Sequence, residues 1–181
     1  MVGAPKAARR RPPRATVRRV DWSKDLATVR RLFEDYRRWM TEHRDESPTA
    51  AARVSEGLGI VEALVAGLPG PYGPPRGDVL LWFDEGSIVA CGALREIEPG
   101  IGEIKRIHVR GDYRGMEFGP VFARAMVDRA RELGFRSVRA DALASMEAAI
   151  RFYQECGFRP IEPYWPHPAP GARFFEYMID V

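Results

Sequence analysis

The stretch EIKRIHVRGDYRGMEFG, from Glu103 to Gly119, decides the fold of this chain of 181 residues. Its first part, Glu103 to Val109, is rich in β-branched residues and predicts a strand. A loop containing glycine follows and opens an amphipathic run that ends at Gly134, which predicts a helix with a glycine cap. The N–H groups at the start of such a helix attract anions, so the junction is a candidate phosphate site. An acidic residue, Glu117, lies within it.

Strands and helices alternate along the rest of the chain. Thr16 to Val20 predicts a strand, and Ser23 is the predicted N-cap of a helix that runs to about Met40. A second helical segment starts at Ser47-Pro48, and the four prolines and three glycines of Leu68 to Gly77 predict a surface loop. The other predicted elements are strands at 78–83, 87–97, 103–109 and 136–143, a helix at 145–156, and strands at 158–161 and 173–179. This order predicts an α/β fold around a mixed sheet.

Composition and charge predict one domain at residues 15–181 preceded by a disordered basic tail at residues 1–14. The chain is 45% hydrophobic and 29% charged, which is typical of a soluble globular protein. Its net charge of +3 comes from five basic residues of the tail, and the remainder is slightly acidic, which argues against nucleic acid as a partner. No apolar run is long enough to span a membrane. Cys91 and Cys156 have no partner at metal spacing, so we expect buried thiols, no metal and a cytoplasmic location.

Three segments occur in a characteristic order between Ile101 and Pro160: IGEIKRIHVRGDYRGMEFG, RELGFRSVRADAL and AAIRFYQECGF. Together they resemble the GNAT family of acetyl-CoA-dependent N-acetyltransferases. The resemblance implies a mixed, mostly antiparallel central sheet with helices on both faces. It also implies acetyl transfer from acetyl-CoA, as cosubstrate, to a primary amine of a small molecule, peptide or protein. Homodimers are frequent among similar proteins, so a homodimer is a further expectation.

The resemblance also implies which residues hold the cofactor. The family signature is Gln/Arg-x-x-Gly-x-Gly/Ala, and its backbone amides wrap the coenzyme A pyrophosphate. The matching residues of this chain are Arg114, Gly115, Met116, Glu117, Phe118 and Gly119. The backbone of Ile107, His108 and Val109 is expected to pair with the pantetheine arm as an added strand. At the start of the last helix, Ser145, Met146 and Ala149 complete the expected cofactor contacts.

The catalytic residues are also given by the resemblance. Tyr153 matches the tyrosine that protonates the departing thiolate in many relatives, and the amide of Val109 is expected to stabilise the thioester oxyanion. Glu103 is the leading candidate for the general base, with His108 as the alternative. Strict strand alternation groups Glu103 with Lys105, Ile107 and Val109, and His108 with Ile104 and Arg106. Structural roles stay open for each: Tyr153 packing on Phe158, and Glu103 and His108 as solvated or hydrogen-bonded strand residues.

Two departures from the signature leave a second interpretation open. Glu117 replaces a glycine, and its charge about 4 Å from a phosphate would cost roughly 1 kcal/mol in water and ~4 kcal/mol at an effective dielectric constant of 20. Pro120 removes one N–H donor. The alternative is therefore a non-catalytic sensor or interaction module with weakened coenzyme A binding. For either function, Trp165, His167, Tyr36, Trp39 and Met40 line an acceptor pocket or fill the core.

Overall fold

A seven-stranded sheet organises the protein, and helices cover both of its faces. The computed structural model describes residues 16–42, 59, 62–113, 119–166 and 170–179. The strands are β1 (Thr16–Arg19), β2 (Gly77–Asp84), β3 (Ser87–Glu98), β4 (Ile101–Val109), β5 (Ser137–Ala142), β6 (Arg159–Ile161) and β7 (Arg173–Met178). The helices are α1 (Trp22–Glu42), a short segment α2 (62–66), α3 (Gly119–Glu132) and α4 (Glu147–Glu155).

The strand order is β1-β2-β3-β4-β5-β7-β6. All neighbouring strands run antiparallel except β4 and β5, which are parallel because α3 connects them. A turn at Pro99-Gly100 joins β3 to β4, and Gly100 adopts a φ of 79°, which suits glycine. The predicted fold class, a mixed and mostly antiparallel sheet with helices on both faces, is confirmed.

Each face of the sheet has its own apolar core. On one side, which we call the α3/α4 face, Phe122 and Met126 of α3 and Tyr153 of α4 pack against Leu94 and Ile104. On the other side, the α1 face, apolar residues of α1 and α2 pack against the alternate residues of β2 and β3. They are Val29, Phe33 and Val65 on the helices, and Val79, Leu81, Cys91 and Ala93 on the strands. Burial raises the pKa of the Cys91 thiol to about 12, as expected for a thiol enclosed in a core.

Helix α1 begins two residues earlier than predicted. It starts at Trp22, and the cap is supplied by Asp21 rather than Ser23: Asp21 Oδ1 accepts hydrogen bonds from the backbone N of Ser23 at 3.0 Å and from its hydroxyl at 2.6 Å. The hydrogen bond from Lys24, followed by those from Ser23, lowers the pKa of Asp21 to about 2. A carboxylate favours the positive end of a helix more strongly than a hydroxyl does, which explains the shift.

The proline-rich segment from Leu68 to Gly77 is only partly a surface loop. Tyr72, in a short 3₁₀ turn at Gly70–Tyr72, is fully buried, with its ring centroid 5.6 Å from that of Phe33. A side chain at Gly77 would fall 2.1 Å from the carbonyl oxygen of Pro71, so the chain doubles back too closely for any other residue. The prediction was wrong for Tyr72 because an aromatic ring can anchor an irregular segment in the core.

Two predicted segments lie outside the described residues: the basic tail at 1–14 and the start of the second helix at Ser47-Pro48. What is described of that helix, residues 62–66, has Val65 buried, in agreement with its predicted apolar stripe.

Candidate active site

Strands β4 and β5 pair over only part of their lengths. The ladder joins Ile101 to Ser137 and ends where Glu103 meets Arg139. From there β4 runs on to Val109, still paired with β3, and β5 runs on to Ala142, still paired with β7. The two parallel strands therefore separate beyond Glu103 and leave a cleft between their carboxyl ends. We call it the β4–β5 cleft.

A bulge in β4 lies beside this cleft. Ala93 of β3 is opposite Lys105 and Cys91 is opposite His108, so Arg106 and Ile107 together face one residue of β3. Arg106 adopts a φ of 57°, in the left-handed region that is unfavourable for residues other than glycine. The Cys91 thiol donates to the Arg106 carbonyl oxygen at 3.6 Å.

This bulge overturns the predicted grouping of the β4 side chains. Ile107 and Val109 pack with Ile104 into the core of the α3/α4 face. His108 lies on the α1 face with Glu103, and its ring is edge-on to Tyr36 of α1 with centroids 6.3 Å apart. The prediction was wrong because the extra residue moves the alternation by one position.

The pairing of β4 with β3 also sets the direction in which the backbone N–H groups of β4 point. The N–H of Arg110 donates to the carbonyl oxygen of Val89 on β3 at 2.9 Å. Amides of successive strand residues point to opposite edges, so the N–H of Val109, in the regular part of the strand after the bulge, is directed to the edge that faces β5. The β4–β5 cleft is therefore bordered by the Val109 amide.

Most of the predicted pyrophosphate loop lies outside the described residues. This applies to Arg114, Gly115, Met116, Glu117 and Phe118. The loop's last predicted residue, Gly119, is the first residue of α3. At α4, Met146 occupies the position before the first helical residue, and its carbonyl oxygen accepts hydrogen bonds from Ala149 at 2.9 Å and Ile150 at 3.0 Å. Ser145 is exposed beside it.

Tyr153 of α4 lies in the core of the α3/α4 face with 5% of its surface exposed. Its ring centroid is 5.3 Å from that of Phe158 and 5.5 Å from that of Phe175, so the predicted packing on Phe158 is confirmed. Burial, and then the charges of Asp141, Tyr36 and Glu103 in their ionised forms, raise the pKa of the phenol above its ordinary value. The phenol is therefore protonated at neutral pH and is able to donate a proton.

Glu103 is fully buried on the α1 face and both of its oxygens are engaged. Oε2 accepts from Arg95 Nε and forms an ion pair with the same guanidinium, each at 2.7 Å. Oε1 accepts from the Tyr164 hydroxyl at 3.0 Å and lies 3.3 Å from Lys105 Nζ. Four donors on one carboxylate favour a structural role, since a general base needs a lone pair directed at the incoming ammonium. The catalytic assignment of Glu103 stays a prediction.

The charged network continues across the cleft to β5. Lys105 of β4 donates a very short hydrogen bond to Asp141 of β5, beyond the point where the backbones stop pairing. Burial lowers the pKa of Lys105, but the carboxylates of Asp141 and Glu103 raise it above its ordinary value overall. The ring of Trp165 covers the network, 5.5 Å from Lys105 Nζ and 5.4 Å from Arg95 Cζ. The ion pair thus spans the floor of the cleft on the α1 face.

Sequence reasoning did not include Arg95, Asp141 and Tyr164 in the site. The signal that would have found Arg95 and Asp141 is charge at inward positions: both alternate with core residues on strands that are otherwise buried. For Tyr164 no such signal exists, because it belongs to the irregular segment after β6. Of the predicted acceptor-side residues, Tyr36 and Trp165 lie at the site, Trp39 and Met40 are half-buried near the end of α1, and His167 lies outside the described residues.

A model of the acetyltransferase (GNAT) family matches residues 21–158. The chain therefore belongs to this family.

Individual relatives agree with the family match. The chain is 36% identical over 107 residues to an uncharacterized N-acetyltransferase of Schizosaccharomyces pombe, an alignment that covers 58% of this chain and 66% of the relative. It is 31% identical over 93 residues to the IAA acetyltransferase of Azospirillum brasilense, covering 50% of this chain and 61% of that protein. The matches thus span somewhat less than two thirds of these relatives.

A solved structure has the same fold. It is that of yncA from Salmonella typhimurium, with its cofactor acetyl-CoA, and its TM-score is 0.62 at 16% sequence identity. The alignment covers 92% of this chain and 94% of the other.

The described residues contain neither a membrane-spanning helix nor a cluster of metal ligands. Neither α1 nor any other helix in the described ranges combines the length and the apolar character needed to cross a bilayer. No group of three or more His, Cys, Asp or Glu side chains in the same ranges is arranged to hold a metal ion.

Proposed function

We propose that this protein transfers an acetyl group from acetyl-CoA to a primary amine. The observation that carries the proposal is the β4–β5 cleft, which opens where β4 and β5 stop pairing and which the amide of Val109 borders, with Tyr153 in the core of the α3/α4 face as the proposed proton donor. An amide-lined gap between two parallel strands suits a flexible chain that carries its own amides, as the pantetheine arm does. Membership of the GNAT family supports the same cosubstrate.

The cofactor is expected to extend from this cleft to the start of α3. In the proposed arrangement, the backbone of Ile107, His108 and Val109 pairs with pantetheine. The pyrophosphate is held by the residues from Arg114 to Gly119, where the N-terminal amides of α3 favour an anion. Ser145, Met146 and Ala149 border the arm from the start of α4.

The reaction needs one bond to form and one to break. The neutral amine attacks the thioester carbonyl, the carbonyl oxygen becomes an oxyanion, and the amide of Val109 is directed to the cleft where it can stabilise that charge. The attack forms the carbon–nitrogen bond and leaves the nitrogen positively charged, so the nitrogen gives up one proton to a base or to solvent water. Collapse of the intermediate then restores the carbonyl and breaks the carbon–sulfur bond. Tyr153 supplies a proton to the departing thiolate, and its raised pKa keeps the phenol protonated for that step.

Thermal shift with acetyl-CoA tests cofactor binding. Ligand at 100 times its dissociation constant stabilises a protein by about 2.7 kcal/mol, which is a shift of several degrees for a domain of this size. No shift at millimolar acetyl-CoA would contradict the proposal. A shift without coenzyme A release in the presence of any amine would instead favour the non-catalytic module.

Calorimetry on Glu117→Gly tests the signature loop. Removing the carboxylate is expected to tighten acetyl-CoA binding at least about fivefold, because it removes roughly 1–4 kcal/mol of repulsion and restores the signature glycine. Glu162→Gly removes an exposed carboxylate after β6 and is expected to leave the affinity unchanged. Equal affinity in the parent and in Glu117→Gly would show that Glu117 turns away from the phosphates.

From the resemblance alone, we also propose a cytoplasmic enzyme that forms homodimers. Light scattering across a tenfold range of protein concentration tests the homodimer.

A further inference from the structure

Arg106 differs from Arg95, Lys105 and Arg139 on the α1 face because none of the described carboxylates pairs with its charge. Arg95 and Lys105 share Glu103, and Lys105 also reaches Asp141. Arg139 pairs with Glu98 and Glu176. In the described part of the chain no carboxylate lies within ion-pair distance of Arg106, and its Nε is buried without a hydrogen-bond acceptor. A buried donor in this state costs on the order of 1–3 kcal/mol.

Arg106 is held in place by its surroundings. Its guanidinium carbon lies 5.5 Å from the ring centroid of Tyr36, a distance at which the cation and the ring attract each other. Its backbone forms the bulge, in the left-handed conformation, immediately before Ile107 at the edge of the β4–β5 cleft. Strained backbone at such a place is typical of functional sites.

Arg106 lies close, along β4, to the residue whose amide is proposed to hold the thioester oxygen. Val109, whose amide is proposed to hold the thioester oxygen, lies three residues further along β4, roughly 10 Å at the rise of a strand. The side chain of an arginine and a short substrate can span that distance together. An anionic group at Arg106 and an amine at the thioester can therefore belong to one small molecule.

We propose that the acceptor is an amino carboxylate, whose carboxylate pairs with the Arg106 guanidinium while its amine meets the thioester in the β4–β5 cleft. The inference rests on the acetyl transfer proposed above. A carboxylate matches the planar guanidinium, supplies an acceptor for the Nε that has none, and carries the opposite charge, which the hydroxyl of Tyr36 does not. A polyamine or simple alkylamine would add positive charge beside an unpaired cation and gain no such partner.

Trp165 forms a second feature of the proposed pocket. It is 36% exposed, one of the large apolar side chains that reach solvent in the described residues, and it lies over Lys105 and Arg95. Together with Tyr36 it offers an aromatic wall for the acceptor's own side chain, so aromatic or large apolar amino acids are the preferred members of the class.

Matched acceptors test the proposal. Phenylalanine and phenethylamine share a side chain and an ammonium group and differ in the carboxylate; phenylalaninamide keeps the size of the carboxylate without its charge. With saturating acetyl-CoA and coenzyme A release as the signal, kcat/KM for phenylalanine is expected to exceed that for either analogue without the carboxylate at least tenfold.

Variants of Arg106 test which residue sets this preference. Arg106→Gln is expected to lower the ratio of kcat/KM for phenylalanine to kcat/KM for phenethylamine at least tenfold, and Arg106→Lys is expected to keep part of that ratio. Arg131→Gln, on an exposed arginine of α3, should leave the ratio unchanged.

A binding measurement keeps the test independent of turnover. Thermal shift with 3-phenylpropionate is recorded on the protein alone and with coenzyme A, for the parent and for Arg106→Gln. Stabilisation by the carboxylate that Arg106→Gln abolishes supports the proposal even if phenylalanine is not acetylated. Acetyl-CoA binding and turnover of phenethylamine at least equal to that of phenylalanine would overturn the amino carboxylate and leave acetyl transfer intact. Absence of both a carboxylate preference in turnover and an Arg106-dependent shift would likewise overturn it.

Discussion

The two faces of the sheet are built from the same strands, but one face buries apolar side chains and the other buries charged ones. On the α3/α4 face, Ile104, Ile107 and Val109 of β4 join a continuous apolar core with Tyr153 inside it. On the α1 face, the alternate residues of β4 are Glu103, Lys105 and His108, and the core gives way to buried charge. Apolar packing tolerates substitutions that conserve volume, whereas a buried charge depends on each partner.

The β4–β5 cleft lies where these two environments meet. The proposed proton donor, Tyr153, approaches from the apolar face, where burial keeps its phenol protonated. The proposed acceptor approaches from the charged face, where Arg106 and Trp165 are accessible. In the proposed reaction, the separation of β4 from β5 allows groups on opposite faces of one sheet to act on the same bond.

Loss of the Glu103 carboxylate is expected to have the largest effect on stability. Glu103→Ala leaves Arg95 and Lys105 without their buried partner, and removing one member of such a group costs about 3–5 kcal/mol. Urea denaturation measures the change. Glu98→Ala is the matched control, because Glu98 pairs with Arg139 at an exposed position, and its cost is expected to be below ~1 kcal/mol.

Glu103→Gln separates the structural role of Glu103 from the predicted catalytic one if Glu103→Ala does not fold. The amide keeps the shape and one acceptor oxygen but loses the charge. A substantial loss of stability with activity retained fits the ion-pair network. Unchanged stability together with a loss of turnover would favour Glu103 as the general base.

Tyr153→Phe is expected to have the next largest effect, and on activity rather than stability. The change keeps the ring among Phe152, Phe158 and Phe175 and removes only the hydroxyl. Loss of a general acid lowers the rate by roughly 100-fold or more. Steady-state kinetics with acetyl-CoA and an amine measures kcat.

Tyr177→Phe is the control for this change, because Tyr177 packs beside Phe158 in the same core. The kcat of Tyr177→Phe should match that of the parent. Equal kcat in Tyr153→Phe and the parent would leave Tyr153 a core residue only.

Some features of the two faces could be predicted from the sequence, and others could not. The short apolar runs of β2 and β3, and the glycines at the ends of the predicted helices, were enough for the order of elements and the fold class. The order of the short segments from Ile101 to Pro160 was enough for the family.

The faces of β4 were not predictable in the same way. A bulge is one extra residue, and nothing in the letters IKRIHV distinguishes a bulged strand from a regular one, because Arg106 is an ordinary residue in an unusual conformation. The network at Glu103 depends on β3, β5 and the segment after β6 meeting in space, and strand pairing is set by the whole sheet. Local patterns therefore predicted elements, while the tertiary fold determined which charges meet.

Gly92 tests how closely the apolar face is packed. It lies opposite the bulge, and a side chain there would fall 2.8 Å from the ring of Phe122 of α3. Gly92→Ala is expected to destabilise the protein by ~1–3 kcal/mol, since the ring must move. Thermal denaturation measures it, with Gly86→Asn as the control at an open turn where Gly86 has a φ of 78°. Gly92→Ala with parental stability would show that α3 has room to shift at this position.

The smallest expected effect lies at the margin of the α1 face, where Asp25 joins α1 to β1. Arg18 donates to its two oxygens at 2.6 and 3.0 Å, and this hydrogen bonding lowers the pKa of the Asp25 carboxyl in the folded protein. Because the folded pKa lies below the unfolded value of about 3.9, the contribution is complete above that pH and is lost as the pH falls through the folded pKa. Arg18 is about half exposed, so the pair is expected to contribute about 0.5–1 kcal/mol.

Comparing the unfolding free energy of the parent and Asp25→Asn between pH 7 and pH 3 measures this contribution, and the difference between the two proteins should shrink toward the acid end. A difference that stays constant with pH would mean that the backbone hydrogen bond from Asp21 to Asp25, rather than the ion pair, carries the effect.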